Sequence, residues 1–334
     1  MVKQQKTKIM SDIGNLYGCY EDGERYLKEQ KYAMAAEEFW WCEQYFENGE
    51  FYSISKGMDE MANSASLRWR EIIQDLPLLS MTSLLYKRCC QCLRSLWLSD
   101  NRNELRKTKG GISRSEHEEY TALTSLLKET FDSDWRLSPQ RTRALRRKSL
   151  RAETPFRIPT VPYRIAINAL AEETKVYLKK QELSHIFEPT FAYEDMFSMI
   201  TALNTENGRN EACVYSKSTD VSDYMLDGYA FDYYVISHNV QLSDFKLYCV
   251  NADYLKSLSI PAKDLTSQNT DIQQLFIIKS ILPEVLERQA GMDDRLNMMR
   301  NIKRKKIMPS GAMGMHCHEP SECAFVDYCV TRNN

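Results

Sequence analysis

Three cysteines stand at equal six-residue steps near the end of the chain, in Gly314-Met-His-Cys317-His-Glu-Pro-Ser-Glu-Cys323-Ala-Phe-Val-Asp-Tyr-Cys329. Thiolates are soft ligands suited to zinc or iron-sulfur clusters, such sites take four donors, and a Pro between ligands stops regular structure there. The fourth donor must come from elsewhere, so any fold of this chain has to bring a further ligand to this segment. Cys92, in Gln91-Cys92-Leu-Arg-Ser-Leu96-Trp97-Leu98, is a candidate, as is His316 or His318 if the metal is zinc. No secretory signal precedes the ten cysteines, which argues against a disulfide framework.

At roughly 150 residues per domain, 334 residues correspond to about two domains. Lys and Arg total 44 against 46 Asp and Glu, so net charge argues for neither nucleic acid nor membrane, and any basic surface must be local. Residues 1–12 are polar and no run of 18 apolar residues occurs. The expectation is a cytoplasmic protein with no membrane partner.

From 11 to about 75 the pattern is helical, with Leu16, Tyr20, Leu27, Ala35, Ala36, Phe39, Trp40 and Tyr45 at three- and four-residue steps. Two to four helices are expected, a helical extension over residues 1–78. Part of it has the spacing of a tetratricopeptide pair, but no second copy follows at that period. Pro77 marks a boundary, and residues 79–334 form the second domain. Arg136, Arg141, Arg143, Arg146, Arg147, Lys148 and Arg151 come without an intervening acid, punctuated by prolines. Such a run either tracks a phosphate backbone or is a solvated connector. A helix is expected over 165–180, strands over 184–191, 196–203, 211–215 and 245–251, and a helix over 224–237. Asn207-Gly208 signals a tight turn. Residues 272–300 read as one long amphipathic helix ending in Lys303, Arg304, Lys305 and Lys306. The sum is an α/β protein with a mixed sheet flanked by helices. No phosphate-binding glycine loop occurs, and His117, His185 and His238 are isolated.

Several segments, in order, carry a resemblance: residues 91–98, Ile186-Phe-Glu188-Pro-Thr-Phe191, 217–234, 250–254 and the closing cysteines. Over residues 80–330 the chain resembles RecB-type PD-(D/E)XK nucleases with an iron-sulfur staple, akin to CRISPR-associated RecB-like exonucleases and the AddB nuclease domain. The resemblance implies a restriction-endonuclease-like fold and a four-iron cluster on Cys92, Cys317, Cys323 and Cys329. Cys89 and Cys90 are alternatives for the first ligand. The cluster would close the long loop between Cys92 and Cys317, as a cross-link does.

The family's catalytic set is an Asp on one strand and Glu-x-Lys on the next, which hold Mg²⁺ or Mn²⁺ and polarise the attacking water. On the matching strands this chain has Thr201 for Asp, Val214 for Glu and Ser216 for Lys, and Asp232 stands where the following helix often carries Gln. Glu188 alone matches an acidic position. Glu206, Glu211, Lys217 and Asp220 are the nearby groups from which relocated ligands could be drawn. A shift of one residue turns a strand side chain to the opposite face, so Lys217 should point away from where Ser216 points.

The expected protein is therefore a catalytically inactive nuclease-fold subunit. It would bind nucleic acid, DNA rather than RNA, through Arg141, Arg143, Arg146, Arg147, Lys148, Lys303 and Arg304, or scaffold a nucleic-acid-processing or defence complex. The alternatives are an active metal-dependent DNA exonuclease with relocated ligands, and a protein-interaction module acting through the N-terminal helices.

Overall fold

The computed structural model describes residues 2–48, 56–107, 114–131, 135–136, 161–180, 183–218, 221–320 and 322–333. By its contacts the chain forms two compact units. The first comprises Met1–Leu79 with segments that include most of a later helix, and the second includes Ser80–Leu137 and Lys179–Asn334.

The first unit is helical: α1 (Val2–Lys28), α2 (Tyr32–Asn48), α3 (Lys56–Asp75) and α7 (Val161–Lys180). The chain leaves α1 with Gln30 in the left-handed region (φ 59°) and Lys31 N–H donating to the Tyr26 carbonyl at 2.9 Å, a helix-ending geometry. The apolar stripes anticipated from spacing form one core, with Leu16 and Cys19 of α1, Ala35, Ala36, Phe39 and Trp40 of α2, Ala65, Trp69 and Ile73 of α3, and Ile165 of α7. Two acids fasten it, Glu43 buried and Glu172 half-buried. Glu43 accepts from Ser66 Oγ at 2.7 Å, Trp69 Nε1 at 2.6 Å and Arg70 at 2.7 Å. Glu172 on α7 accepts from the Met34 N–H at 2.8 Å, satisfying a donor that the first turn of α2 leaves open.

The second unit is α/β. Its N-terminal part holds α4 (Ser83–Gln91), α5 (Leu93–Asn101) and α6 (Arg114–Glu129). Thr82 caps α4, its Oγ1 accepting from the Leu85 N–H at 3.2 Å. The strands are β1 (Trp135–Arg136), β2 (His185–Phe187), β3 (Thr190–Tyr193), β4 (Met196–Met199), β5 (Ala202–Asn204), β6 (Glu211–Ser216), β7 (Asp244–Val250) and β8 (Phe276–Ser280). Among the described residues six of them form one sheet in the order β1-β2-β5-β6-β7-β8, and β3 pairs with β4. The strands β2, β5 and β6 run as an antiparallel meander. Helix α8 (Asp223–Ser237) then carries the chain to β7, which lies parallel to β6. One sheet face, with Phe187, Ala202, Cys213, Tyr248 and Val250, packs on Leu123, Leu126 and Leu127 of α6. The other meets α8, whose Tyr229 and Tyr233 approach Phe245.

Three sequence expectations are corrected. The strand expected over 184–191 breaks at Glu188-Pro189, and the one over 196–203 breaks before Ala202. Glu188 takes a left-handed φ of 50° and Pro189 has no N–H, so the ladder ends after the Glu188 N–H. The halves consequently join different sheets. The single helix expected over 272–300 is instead α10 (Ile272–Leu275), β8, α11 (Leu282–Glu287) and α12 (Met292–Arg304). Phe276, Ile277 and Ile278 extend along the edge of β7, Pro283 opens α11, and Gly291 at φ 71° ends the run before α12. Asn207-Gly208 does turn the chain between β5 and β6, within a short 3-10 turn and with Gly208 at φ 72°. Two further helices are α9 (Ala252–Ser257) and α13 (Val326–Asn333). Among the described residues no helix is long and apolar enough to cross a membrane.

Candidate functional site

Cys92 lies between α4 and α5 in extended conformation (φ −160°, ψ 114°), its N–H donating to the Arg88 carbonyl and its carbonyl accepting from the Ser95 N–H. Side chains around it seize the irregular segment that carries the later cysteines. Gln91 Nε2 donates to the carbonyls of His316 (2.7 Å) and Glu319 (3.0 Å). Arg94 donates to the carbonyls of Pro309 (3.4 Å) and Gly311, and Trp97 Nε1 to that of Lys305 (2.8 Å). These bonds tie carbonyls of the later segment to side chains of α4 and α5. Gln91, Arg94 and Trp97 fall within residues 91–98, and the sequence signal of their role is a donor at every third position beside Cys92.

Cys92 and Cys329 lie near enough to Cys323 to act on it electrostatically, and Cys317 meets it through the backbone. The Cys323 N–H donates to the Cys317 carbonyl at 2.8 Å. Burial raises the Cys323 thiol above its ordinary range, Cys92 and Cys329 add to the rise through their charge, and bonds from the Phe325 backbone and Ser95 oppose it. Arg94 Nη1 stands 3.8 Å from Cys329 Sγ, and His316 Nε2 stands 3.7 Å from Cys317 Sγ. Cys329 is buried with Leu98 and Phe325, and Trp97, Met308 and Met313 pack around them. Cys89 is buried and its thiol is pushed up to about 12, chiefly by burial, whereas Cys90 is exposed. His318 is exposed. Among the described residues no three His, Cys, Asp or Glu side chains close on the position of a single ion. Four thiolates on one zinc lie within about 4 Å of each other, given a Zn–S bond of about 2.3 Å. A four-iron cluster holds each on a separate iron, farther apart.

The second candidate is the sheet position of the expected catalytic set. The Glu188 N–H donates to the Thr201 carbonyl at 3.0 Å, which places these two residues side by side. The β5–β6 register pairs Ala202 with Cys213, so the same ladder carries Thr201 towards Val214. Val214 and Ser216 are 5% and 7% exposed and pair with Leu247 and Cys249 of β7. Ser216 Oγ accepts from the Ser218 N–H at 3.1 Å. The position thus gathers Thr, Val, Ser, Leu and Cys, with Glu188 the one acid of the expected set. Asp232 on α8 is buried, which pushes its carboxyl up to about 7, against the pull of Ser198, whose Oγ donates at 2.8 Å, and of Lys87 and Ser83.

Of the groups considered as relocated ligands, Glu211 and Lys217 lie at opposite ends of one strand. Glu211 opens β6 and binds Lys246 at 2.7 Å, and Lys217 follows the other end of the strand and binds Glu119 at 2.8 Å. Six residues of strand separate them by roughly 20 Å. Asp220 lies outside the described residues. Of the residues expected to contact nucleic acid, Arg141, Arg143, Arg146, Arg147 and Lys148 also lie outside them. Lys303 is half-buried, with Nζ 3.6 Å from the Asp100 carboxylate and 3.2 Å from Ser80 Oγ, while Arg304 is exposed. Compared with protein-family models, with curated proteins and with solved structures, the chain matches none.

Proposed function

We propose that the second unit is a restriction-endonuclease-like domain of the RecB type that has lost catalysis, keeps an iron-sulfur cluster, and serves as a DNA-binding subunit of a nucleic-acid-processing or defence assembly. The observation that carries the reading is the neutral character of Thr201, Val214 and Ser216 on neighbouring strands. Hydrolysis of a phosphodiester by this fold needs carboxylates to hold Mg²⁺ or Mn²⁺ and a cation to offset charge developing on the phosphate. The path β2-β5-β6-α8-β7 supports the fold, because it offers two adjoining antiparallel strands for an Asp and a Glu-x-Lys.

Cys92, Cys317, Cys323 and Cys329 would hold the cluster, with Arg94 as a nearby cation to balance thiolate charge. When bound, it would supply a cross-link between the start and the end of the unit. The basic run at 136–151 would contact phosphates without reading sequence, and the N-terminal helices would serve protein contact.

The test is a digestion assay. Purified full-length chain with Mn²⁺ should leave single- and double-stranded DNA intact, and Glu188→Ala should change nothing. Robust digestion abolished by Glu188→Ala, or by changes at Glu211 or Lys217, would overturn the reading. DNA affinity should fall steeply with salt and weaken in Arg146→Glu/Arg147→Glu. Metal analysis of anaerobically purified protein should find iron, and Cys323→Ser should lose it.

A further inference from the structure

Lys87 of α4 crosses α8 at Gly228. A Cβ there would stand 2.6 Å from Lys87 Cδ and 3.1 Å from Cγ and Cε, so the stem lies in the slot that a missing side chain leaves. Tyr224, Gly228 and Asp232 share one face of α8 at four-residue steps. The Lys87 amine ends 4.9 Å from the centre of the Tyr224 ring, one turn before Gly228. Asp232, one turn after it, acts on the amine electrostatically, and among the described residues no hydrogen bond or ion pair reaches Lys87 Nζ.

Lys87 lines a pocket of about 680 Å³ bounded by α4, the start of α8 and residues 315–320. Tyr224, Met315 and Pro320 form its apolar surfaces. Its other titratable side chains are Asp223, Asp227, Glu319, His316 and Cys90. Arg288 already pairs with Asp223 at 2.5 Å and with Asp227 at 3.5 Å. Three carboxylates against one lining cation suit an uncharged ligand with hydroxyls to donate rather than an anion. A lysine is nucleophilic only when its amine is neutral, and withdrawal from water favours the neutral form. Lys87 is half-buried; burial lowers its amine below the ordinary lysine value, Asp232 opposes the fall and Arg88 adds to it.

We propose that Lys87 is a nucleophile that forms an imine with a small uncharged hydroxyaldehyde held in this pocket. The Nζ lone pair bonds to the carbonyl carbon as the C–O π pair moves to oxygen. One amine proton passes to that oxygen through solvent, giving a carbinolamine. Loss of water then removes the hydroxyl and the second amine proton, leaving C=N in place of C=O with no change of oxidation state. Asp223, Asp227 and Glu319 accept from the ligand hydroxyls, and Tyr224, Met315 and Pro320 cover its carbon chain. The inference does not rest on the cluster or on the nuclease-like sheet position.

Trapping with glyceraldehyde and cyanoborohydride tests it. Peptide mass spectrometry of the full chain reads the labelling rate at Lys87 against that at the exposed Lys256 in the same sample. Cyanoborohydride reduces imines and leaves a thiol adduct at Cys90 untrapped. Lys87 should be labelled at least roughly tenfold faster than Lys256. That ratio should fall severalfold with propanal, which lacks hydroxyls, and with glyceraldehyde 3-phosphate, which brings negative charge to the acids. Gly228→Ala, which fills the slot, should bring the Lys87 rate down to that of Lys256. The comparison of aldehydes needs no variant, so it stands even if Gly228→Ala fails to fold. Equal rates at Lys87 and Lys256, equal ratios for the three aldehydes, or an unchanged ratio in folded Gly228→Ala would overturn the proposal.

Discussion

Asp232 sits with its carboxylate buried between α8, Ser198 and Lys87, and its folded-state pKa of about 7 lies above the ordinary value of 3.8. Raised pKa means that the folded state holds its proton more tightly than the unfolded state, so this group's contribution is fully favourable below about pH 4. It is lost as pH rises towards 7. The expected outcome is that Asp232→Asn, which keeps an acceptor for Ser198 and never ionises, gains on wild type between pH 4 and pH 8 by on the order of 2 to 4 kcal/mol. Urea unfolding at several pH values reads this directly, and a constant gap would show that Asp232 does not titrate in that window. Gly23 makes a second residue-scale case. A Cβ there would stand 2.6 Å from the ring of Phe39, which is fully buried. Ala is the better helix former by about 1 kcal/mol, yet forced overpacking costs about 1 to 3 kcal/mol. Gly23→Ala should therefore lower the urea midpoint, and a raised midpoint would mean that Phe39 moves aside freely.

Between elements, the segment from Lys305 to Glu319 has few hydrogen bonds of its own beyond the turn at Met315–Cys317 and takes donors from α4 and α5. Trp97→Phe keeps the ring and removes the Nε1 donor to Lys305, and Gln91→Ala removes the donor to His316 and Glu319. Each should cost about 1 kcal/mol and speed proteolytic nicking within 305–319, with the double variant nicked faster than either single one. Unchanged cleavage in the double variant would show that packing of Cys329, Leu98 and Phe325 alone holds the segment. Strand β8 teaches the complementary lesson about elements. Its residues share the helical spacing of their neighbours, and only the edge of β7 makes the extended form the better one for Phe276, Ile277 and Ile278.

For the whole chain, the proposed cluster would bind Cys92, near the start of the second unit, to three cysteines at its end. Cys323→Ser, or removal of iron by chelation, should lower the unfolding temperature of the second unit, by the equivalent of about 4 to 5 kcal/mol if the clamp acts as a long-loop cross-link. Calorimetric traces identical with and without metal would remove that role. Much of the architecture is legible in the sequence. The helices within 11–75, β6, α8 and β7 carry patterns whose period decides their form locally, and the spacing of Cys317, Cys323 and Cys329 marks the segment that folds back on Cys92. The neutral residues at Thr201, Val214 and Ser216 are legible too, while the register that sets them side by side comes from strand pairing. What the tertiary structure alone decided are the breaks at Glu188-Pro189 and before Ala202, the division of 272–304 into strand and helices, and the donors from Gln91, Arg94 and Trp97 to carbonyls near the far end of the chain. The pocket around Lys87 belongs with these. Periodicity reports which face of an element is apolar, but the choice between helix and edge strand, and the partner of each open carbonyl or cation, depends on free energies of contacts made only when distant segments meet.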